Sequence, residues 1–224
     1  MGRTRNQRKK QAREGAFLEM APRLHERLTE ASNAQLYQLR PHPTSKTHNL
    51  TVLGGFALLI GLVIYGGALR DSNAGDEPED LDVMVPCTAD TFVYWARWAA
   101  AKLQWHAKRV KIEPYGDLDF GRSHKGGPPA TATIQFITET GMKLKVDLTA
   151  AFVLTTPDVD VNSLWITPAE RRLDVRYNVG LSCEQLQAKC ANKKFSLIKD
   201  ITHDKVGERV TKLLGRGWEA LHLY

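Results

Sequence analysis

Twenty consecutive residues, Leu50 to Leu69 (LTVLGGFALLIGLVIYGGAL), carry no charge, and any fold of this chain must bury them. A run of that length meets the requirement for a membrane span, with Lys46 and Arg70 at its flanks. Two Gly-Gly pairs interrupt it, which is unusual within one span. The other solution is a buried helix from Leu50 to Ile60 and a short buried strand, Leu62 to Tyr65, ending in a glycine turn. Periodicity cannot separate the two, because a continuous apolar run has none. The residues that follow decide between them.

The rest of the chain is that of an ordinary globular protein. Its 224 residues are 42% hydrophobic and 25% charged, enough for one domain with appendages. Cys87, Cys183 and Cys190 are too few and too scattered for a disulfide framework or a paired-cysteine zinc site. They point to a reducing compartment: cytoplasmic, or nuclear given the basic N-terminus, and not secreted. The net charge of +6 is local. Arg3, Arg5, Arg8, Lys9, Lys10 and Arg13 precede any acid, and the remaining 25 Lys and Arg balance the 25 Asp and Glu. Such an arm attracts phosphate backbones.

Residues 1–48 therefore read as a basic, partly disordered arm followed by a helix, Ala16 to Leu39, with a proline-rich link at 40–48. A helix is expected over Asp90–Trp105, with Phe92, Trp95, Ala99 and Leu103 on one face. A strand follows near Val110–Ile112, then a Gly/Pro-rich loop from Gly121 to Pro129. Thr131–Glu139 and Met142–Thr149 alternate and meet at Thr140-Gly141, as a hairpin does. From Pro157 the chain is mixed, with helices over Ser182–Asn192 and His203–Leu214.

The stretch Val63 to Val85, VIYGGALRDSNAGDEPEDLDVMV, carries the chemistry. Glycines after a buried strand let the backbone approach a triphosphate with no Cβ in the way. Asp80 and Asp82, two apart on a strand, point to one side of the sheet. Paired carboxylates facing solvent suit a divalent cation that bridges to substrate phosphates, and two such ions stabilise an in-line displacement.

The pattern Gly-Gly-x-x-Arg-Asp, a glycine a few residues on, then Pro-x-Asp-x-Asp resembles the nucleotidyltransferase head of tRNA CCA-adding enzymes and bacterial-type poly(A) polymerases, in the DNA polymerase β superfamily. The resemblance covers residues 50–150. It implies that Gly66 and Gly67 contact the phosphates of an incoming NTP and that Asp80 and Asp82 hold Mg2+ or Mn2+. Arg70 and Asp71 fall on the family's Arg-Asp pair, with a structural or nucleotide-side role. A third carboxylate on a later strand falls on Asp147, whose strand turns Met142, Leu144, Val146 and Leu148 one way and Lys143, Lys145, Asp147 and Thr149 the other. As a metal ligand, Asp147 would also be placed to deprotonate an attacking hydroxyl. The membrane reading falls with this pattern, since a span ending at Leu69 would put the glycine pair in lipid.

Asp117-Leu118-Asp119 and Asp158-Val159-Asp160 repeat the acidic spacing but follow no glycine pair after a buried strand, and read as structural. Ser123-His124 lacks a spaced acid. After Asp147 the family's base-selecting motif is not found. Trp165, Arg171, Arg172, Arg176, Lys193, Lys194, Arg209, Lys212, Arg216 and Trp218 in that segment are as readily core and solvated surface as contacts to RNA.

The expected fold is α/β (α+β), a nucleotidyltransferase fold. It has a mixed, mostly antiparallel sheet, helices on one face and the metal site on the other. The arm occupies 1–48, the catalytic core 49–156 and a small, mostly helical region 157–224. The implied reaction moves a nucleoside monophosphate from an NTP to an acceptor hydroxyl, an RNA 3′ end reached through the arm, releasing pyrophosphate. A protein or small-molecule acceptor, and an inactive nucleotide- or nucleic-acid-binding module, remain open at this point. Which NTP is used, and the oligomeric state, are not legible.

Overall fold

The uncharged run resolves into a helix and a strand. In a computed structural model that describes residues 44–86, 92, 96, 109–114, 131–138, 140–151, 156–177, 179–199 and 204–221, helix α1 spans Lys46–Leu59. Ser45 caps it, its side chain accepting from the His48 N–H at 3.2 Å. Gly61, with φ of +88°, ends it and turns the chain into strand β1, Val63–Tyr65. Among the described residues no helix is long and apolar enough to cross a membrane.

Strand β1 runs into a positive-φ glycine, Gly66, and then helix α2, Gly67–Asn73. Strand β2, Leu81–Val85, follows, then β3, Arg109–Pro114, β4, Thr131–Ile137, and β5, Lys143–Ala150. A 3₁₀ turn at Asp160–Ser163 leads into β6, Leu164–Ile166, and β7, Leu173–Val175. Helix α3, Cys183–Ala191, strand β8, Lys194–Phe195, helix α4, Asp204–Gly215, and strand β9, Glu219–Ala220, complete the order.

Seven strands form one mixed sheet in the order β3-β4-β5-β2-β1-β6-β7. Within this sheet, among the described residues, β2 and β5 pair in parallel and every other neighbouring pair is antiparallel, while β8 and β9 form a separate parallel pair. The β4–β5 hairpin turns through Gly141 at φ of +84°, with the Gly141 N–H donating to the Thr138 carbonyl at 2.9 Å. Helix α1 covers the apolar face. Leu53, Phe56 and Ala57 pack over Leu81, Val83, Val146 and Leu148, and Gly54 lets the helix come close, since a Cβ there would stand 3.0 Å from Ile64 Cδ1. Ala132, Ile134 and Phe136 of β4 extend this core. Of the helix expected over Asp90–Trp105, the described residues are Phe92 and Ala96, both helical and buried. The rest of it, residues 1–43 with the helix expected there, and Asp117–Asp119 lie outside the described residues, while Lys46 to His48, expected in the link, are the first turn of α1.

Beyond residue 156 the chain builds a second apolar cluster from Val159, Val161, Leu164, Leu186, Cys190, Phe195, Val206, Val210, Leu213 and Trp218. Leu69 and Ala74, at either end of α2, pack against it. Helix α3 is held by a capping box in which Ser182 and Gln185 exchange hydrogen bonds. Two strands of this segment, β6 and β7, continue the main sheet past β1, a long-range pairing absent from any local sequence pattern. Cys190 is fully buried in the second cluster. Burial pushes its thiol up to about 12, and the surrounding charges of Arg70, Asp160, Asp71 and Lys189 work in both directions. Cys190 should therefore resist iodoacetamide in the native protein at about pH 8 and be alkylated in urea, as peptide mapping by mass spectrometry would show.

Candidate active site

On the face opposite α1, strand register lines up polar and aromatic side chains in one row. Thr133 pairs with Asp147, Asp147 with Asp82, Asp82 with Tyr65, and Tyr65 with Trp165. Residues directly opposite one another share a face, so the row crosses β4, β5, β2, β1 and β6. The parallel pairing of β2 and β5 is what sets Asp82 beside Asp147.

Each carboxylate in the row has a partner. Asp82 Oδ2 accepts from the Gly67 N–H at 3.2 Å. Asp147 Oδ1 accepts from the Thr133 hydroxyl at 2.5 Å, and its Oδ2 from Lys145 Nζ at 2.7 Å. Asp80, just before β2, accepts from the same ammonium at 3.3 Å. Burial pushes the Asp82 carboxyl up to about 7, the charges of Asp80 and Asp147 push in the same direction, and the Gly67 N–H opposes them. Partial burial works against the Lys145 charge, but Asp147 and then Asp80 hold its ammonium above the ordinary lysine range. Burial, followed by the Asp82 charge, raises the Tyr65 phenol to about 12. That phenol donates to Thr149 Oγ1 at 3.0 Å and stays protonated at neutral pH, which removes it as a base.

Gly66 makes the contact between β1 and Asp82 possible. Its φ of +79° and ψ of −135° are open to glycine and costly for other residues, and a Cβ there would lie 2.9 Å from Asp82 Oδ2. At Gly67 a Cβ would meet Asp82 Oδ2 and Arg70 Nη2 at 3.6 Å, ordinary contact, so the close approach belongs to Gly66.

The structure takes Arg70 inward. Its side chain is 8% exposed and donates to Asp71 Oδ1 at 2.7 Å and to Asn162 Oδ1 at 2.9 Å, with its guanidinium 5.5 Å from the centroid of the Trp218 ring. Asp71 also takes Arg216 at 3.0 Å. These contacts tie α2, and with it the Gly66–Gly67 turn, to the second cluster.

Four of the other basic residues singled out in the sequence pair with acids nearby, Lys193 with Asp76, Lys194 with Glu219, Arg209 with Asp158 and Lys212 with Glu79, whereas Arg176 lies over the Tyr177 and Tyr65 rings at 4.4 and 5.3 Å. Asp158 and Asp160 are structural in their contacts. Asp160 is buried, receives the backbone N–H groups of Val161 and Ser196, both at 2.8 Å, and pairs with Lys189.

Sequence reasoning assigns no role to Thr133 or Lys145, yet both hold Asp147 in place. Lys145 stands on the polar side of its strand, two positions from Asp147, and Thr133 follows from counting back through the Thr140-Gly141 turn. A signal existed for both, but their contacts depend on side-chain reach.

Comparison with known proteins adds likeness without an assignment. No family model matches the chain, and no curated protein does. Among solved structures, a CCA-adding enzyme in complex with CTP is 14% identical with a TM-score of 0.46, the match covering 72% of this chain and 36% of that one. A CCA-adding enzyme of Thermotoga maritima complexed with tRNA is 16% identical with a TM-score of 0.47, covering 89% and 42%. An apo form of a CCA-adding enzyme is 15% identical with a TM-score of 0.47, covering 84% and 42%. The matches thus take in about two-fifths of the length of these enzymes, and no residue's role rests on likeness at this level.

The carboxylates fit a divalent cation by their chemistry. All the donors are hard oxygens, and Asp82 carries the effect of burial and two like charges that the Gly67 N–H and Arg209 only partly offset. Among the described residues no three His, Cys, Asp or Glu side chains form a ready-made cage. Magnesium does not ask for one, since it commonly uses one or two carboxylates with waters and substrate phosphates. Gly66→Ala should lower stability by about 2 kcal/mol, from backbone strain and the clash with Asp82, read as a shifted urea midpoint at unchanged slope.

Proposed function

We propose that this chain transfers a nucleoside monophosphate from an NTP to an acceptor hydroxyl, an RNA 3′ end, and releases pyrophosphate. The observation that supports the reading most is the pairing of Asp82 with Asp147 across β2 and β5, with Asp80 alongside and the Gly66–Gly67 turn against Asp82.

In this reading Asp80, Asp82 and Asp147 hold Mg2+ or Mn2+, which when bound neutralises charge on the reacting phosphates. The Gly66–Gly67 turn admits the triphosphate because no Cβ blocks it. Thr133 fixes the orientation of Asp147, which accepts the proton of the attacking hydroxyl. The hydroxyl oxygen bonds to the α-phosphorus as the bond from that phosphorus to the β-bridging oxygen breaks, and pyrophosphate leaves. Arg70 acts from beneath by holding α2 in place. The basic residues of the first thirteen positions draw in the RNA through its phosphates, so binding weakens steeply with salt.

The test incubates the purified protein with each α-labelled NTP, Mg2+ or Mn2+, and a pool of cellular RNA and protein. Label should enter RNA, be abolished by EDTA, and fall at least about a hundredfold in the Asp80→Ala/Asp82→Ala variant. Label in protein instead would move the acceptor class. No label with any of the four nucleotides would overturn transfer to a macromolecule.

A further inference from the structure

Lys145 is the only side chain among those described that joins two of the three site carboxylates. It leaves β5 two positions before Asp147 and therefore shares its face. Its Nζ spans from Asp147 Oδ2, at 2.7 Å, to Asp80 Oδ2, at 3.3 Å. The lysine side chain is 33% exposed and the two carboxylates 23% and 28%, so the three groups meet at the mouth of the site, open to solvent. The remaining anchors are separate from this bridge: Thr133 holds the other oxygen of Asp147, and the Gly67 N–H holds Asp82.

We propose that Lys145 is a tethered cation standing where a divalent ion would bind Asp80 and Asp147, and that its displacement onto a substrate triphosphate couples cation binding to nucleotide binding. This deepens the function proposed above and rests on that reading of the site.

Charge and reach decide the exchange. An ammonium and a divalent ion gathered on the same two carboxylates lie close enough to repel, so each opposes the binding of the other. Lys145 is the group able to yield, because its charge is a compact point on a flexible four-carbon stem. Thr133 and Gly67 contribute neutral donors at other oxygens and need not move. Once displaced beside an incoming divalent ion, the ammonium faces like charge and loses both carboxylates. A triphosphate supplies new anionic oxygens. Cation binding alone is therefore opposed, and cation binding with nucleotide is not. By linkage the same coupling makes nucleotide binding depend on the cation to the same degree. A lysine that stayed on the carboxylates would oppose the cation equally with and without nucleotide, so only displacement onto the triphosphate makes the enhancement by nucleotide depend on Lys145.

The test measures Mn2+ binding directly, by electron paramagnetic resonance of the free ion and by calorimetry, on the full chain with and without α,β-methylene-ATP. The wild type should bind Mn2+ at least about tenfold more tightly with the nucleotide analogue present. Lys145→Met should bind Mn2+ alone about tenfold more tightly than wild type, a difference of about 1.4 kcal/mol, and lose most of the enhancement by nucleotide. Lys145→Gln, polar and of similar length, serves the same purpose should the methionine variant fail to fold, and near-UV circular dichroism checks both. Equal or weaker Mn2+ binding in the folded variants would overturn the role of Lys145 and leave the metal reading standing. Absence of saturable Mn2+ binding in wild type and variants, with or without nucleotide, would overturn both.

Discussion

Two carboxylates held side by side organise this protein. The parallel register of β2 and β5 sets Asp82 opposite Asp147, with Asp80 close by. No gain in stability comes from that juxtaposition; together with burial, it raises the Asp82 carboxyl to about 7. Its neighbours are arranged to offset the cost: a backbone N–H at Gly67, a hydroxyl at Thr133 and an ammonium at Lys145. A slip of one residue in either strand would carry an aspartate into the apolar face under α1 and turn Val83 or Val146 out of it. The core beneath is therefore what enforces the repulsion above.

The support comes from two sides. Under the sheet, α1 lies on Leu81, Val83, Val146 and Leu148, the residues that alternate with the carboxylates, so the same strands that build the core display the site. Beside the sheet, the buried Arg70–Asp71 pair and Arg216 join α2 to the second apolar cluster. Buried ion pairs of this kind add little net stability, but removing one partner strands a charge and costs about 3–5 kcal/mol. They fix where α2 begins, and hence where Gly66 and Gly67 meet Asp82.

Much of this was legible in the sequence because it was written locally. The division of the uncharged run into a helix, a strand and a glycine turn was decided by the residues that follow it; β1 and Gly66 match it closely, whereas α1 begins at Lys46, four residues before the expected Leu50 and inside the stretch read as a link. The hairpin at Thr140-Gly141 and the helix after Ser182 were set by turn and capping residues, and α4 lies where its apolar spacing put it, running through Gly215. What was not legible depends on distant partners. That β2 pairs in parallel with β5, and that β6 and β7 extend the sheet past β1, involves segments far apart in the chain, with no local pattern to reveal it. Arg70 shows the same limit. Its position in a motif suggested a nucleotide-side role as readily as a structural one, and only packing against Asn162 and Trp218, both far along the chain, reveals that its side chain points inward.

At the centre stands one claim, that the Asp82–Asp147 pair and the Gly66–Gly67 turn act as a single cation–nucleotide site. The most direct measurement is paramagnetic broadening of backbone amide resonances in the isotope-labelled protein on adding substoichiometric Mn2+ with α,β-methylene-ATP. The amides of Gly66, Gly67, Asp82 and Asp147 should lose intensity first and together. Losses centred on Asp158 and Asp160, or spread evenly over the surface acids, would contradict it.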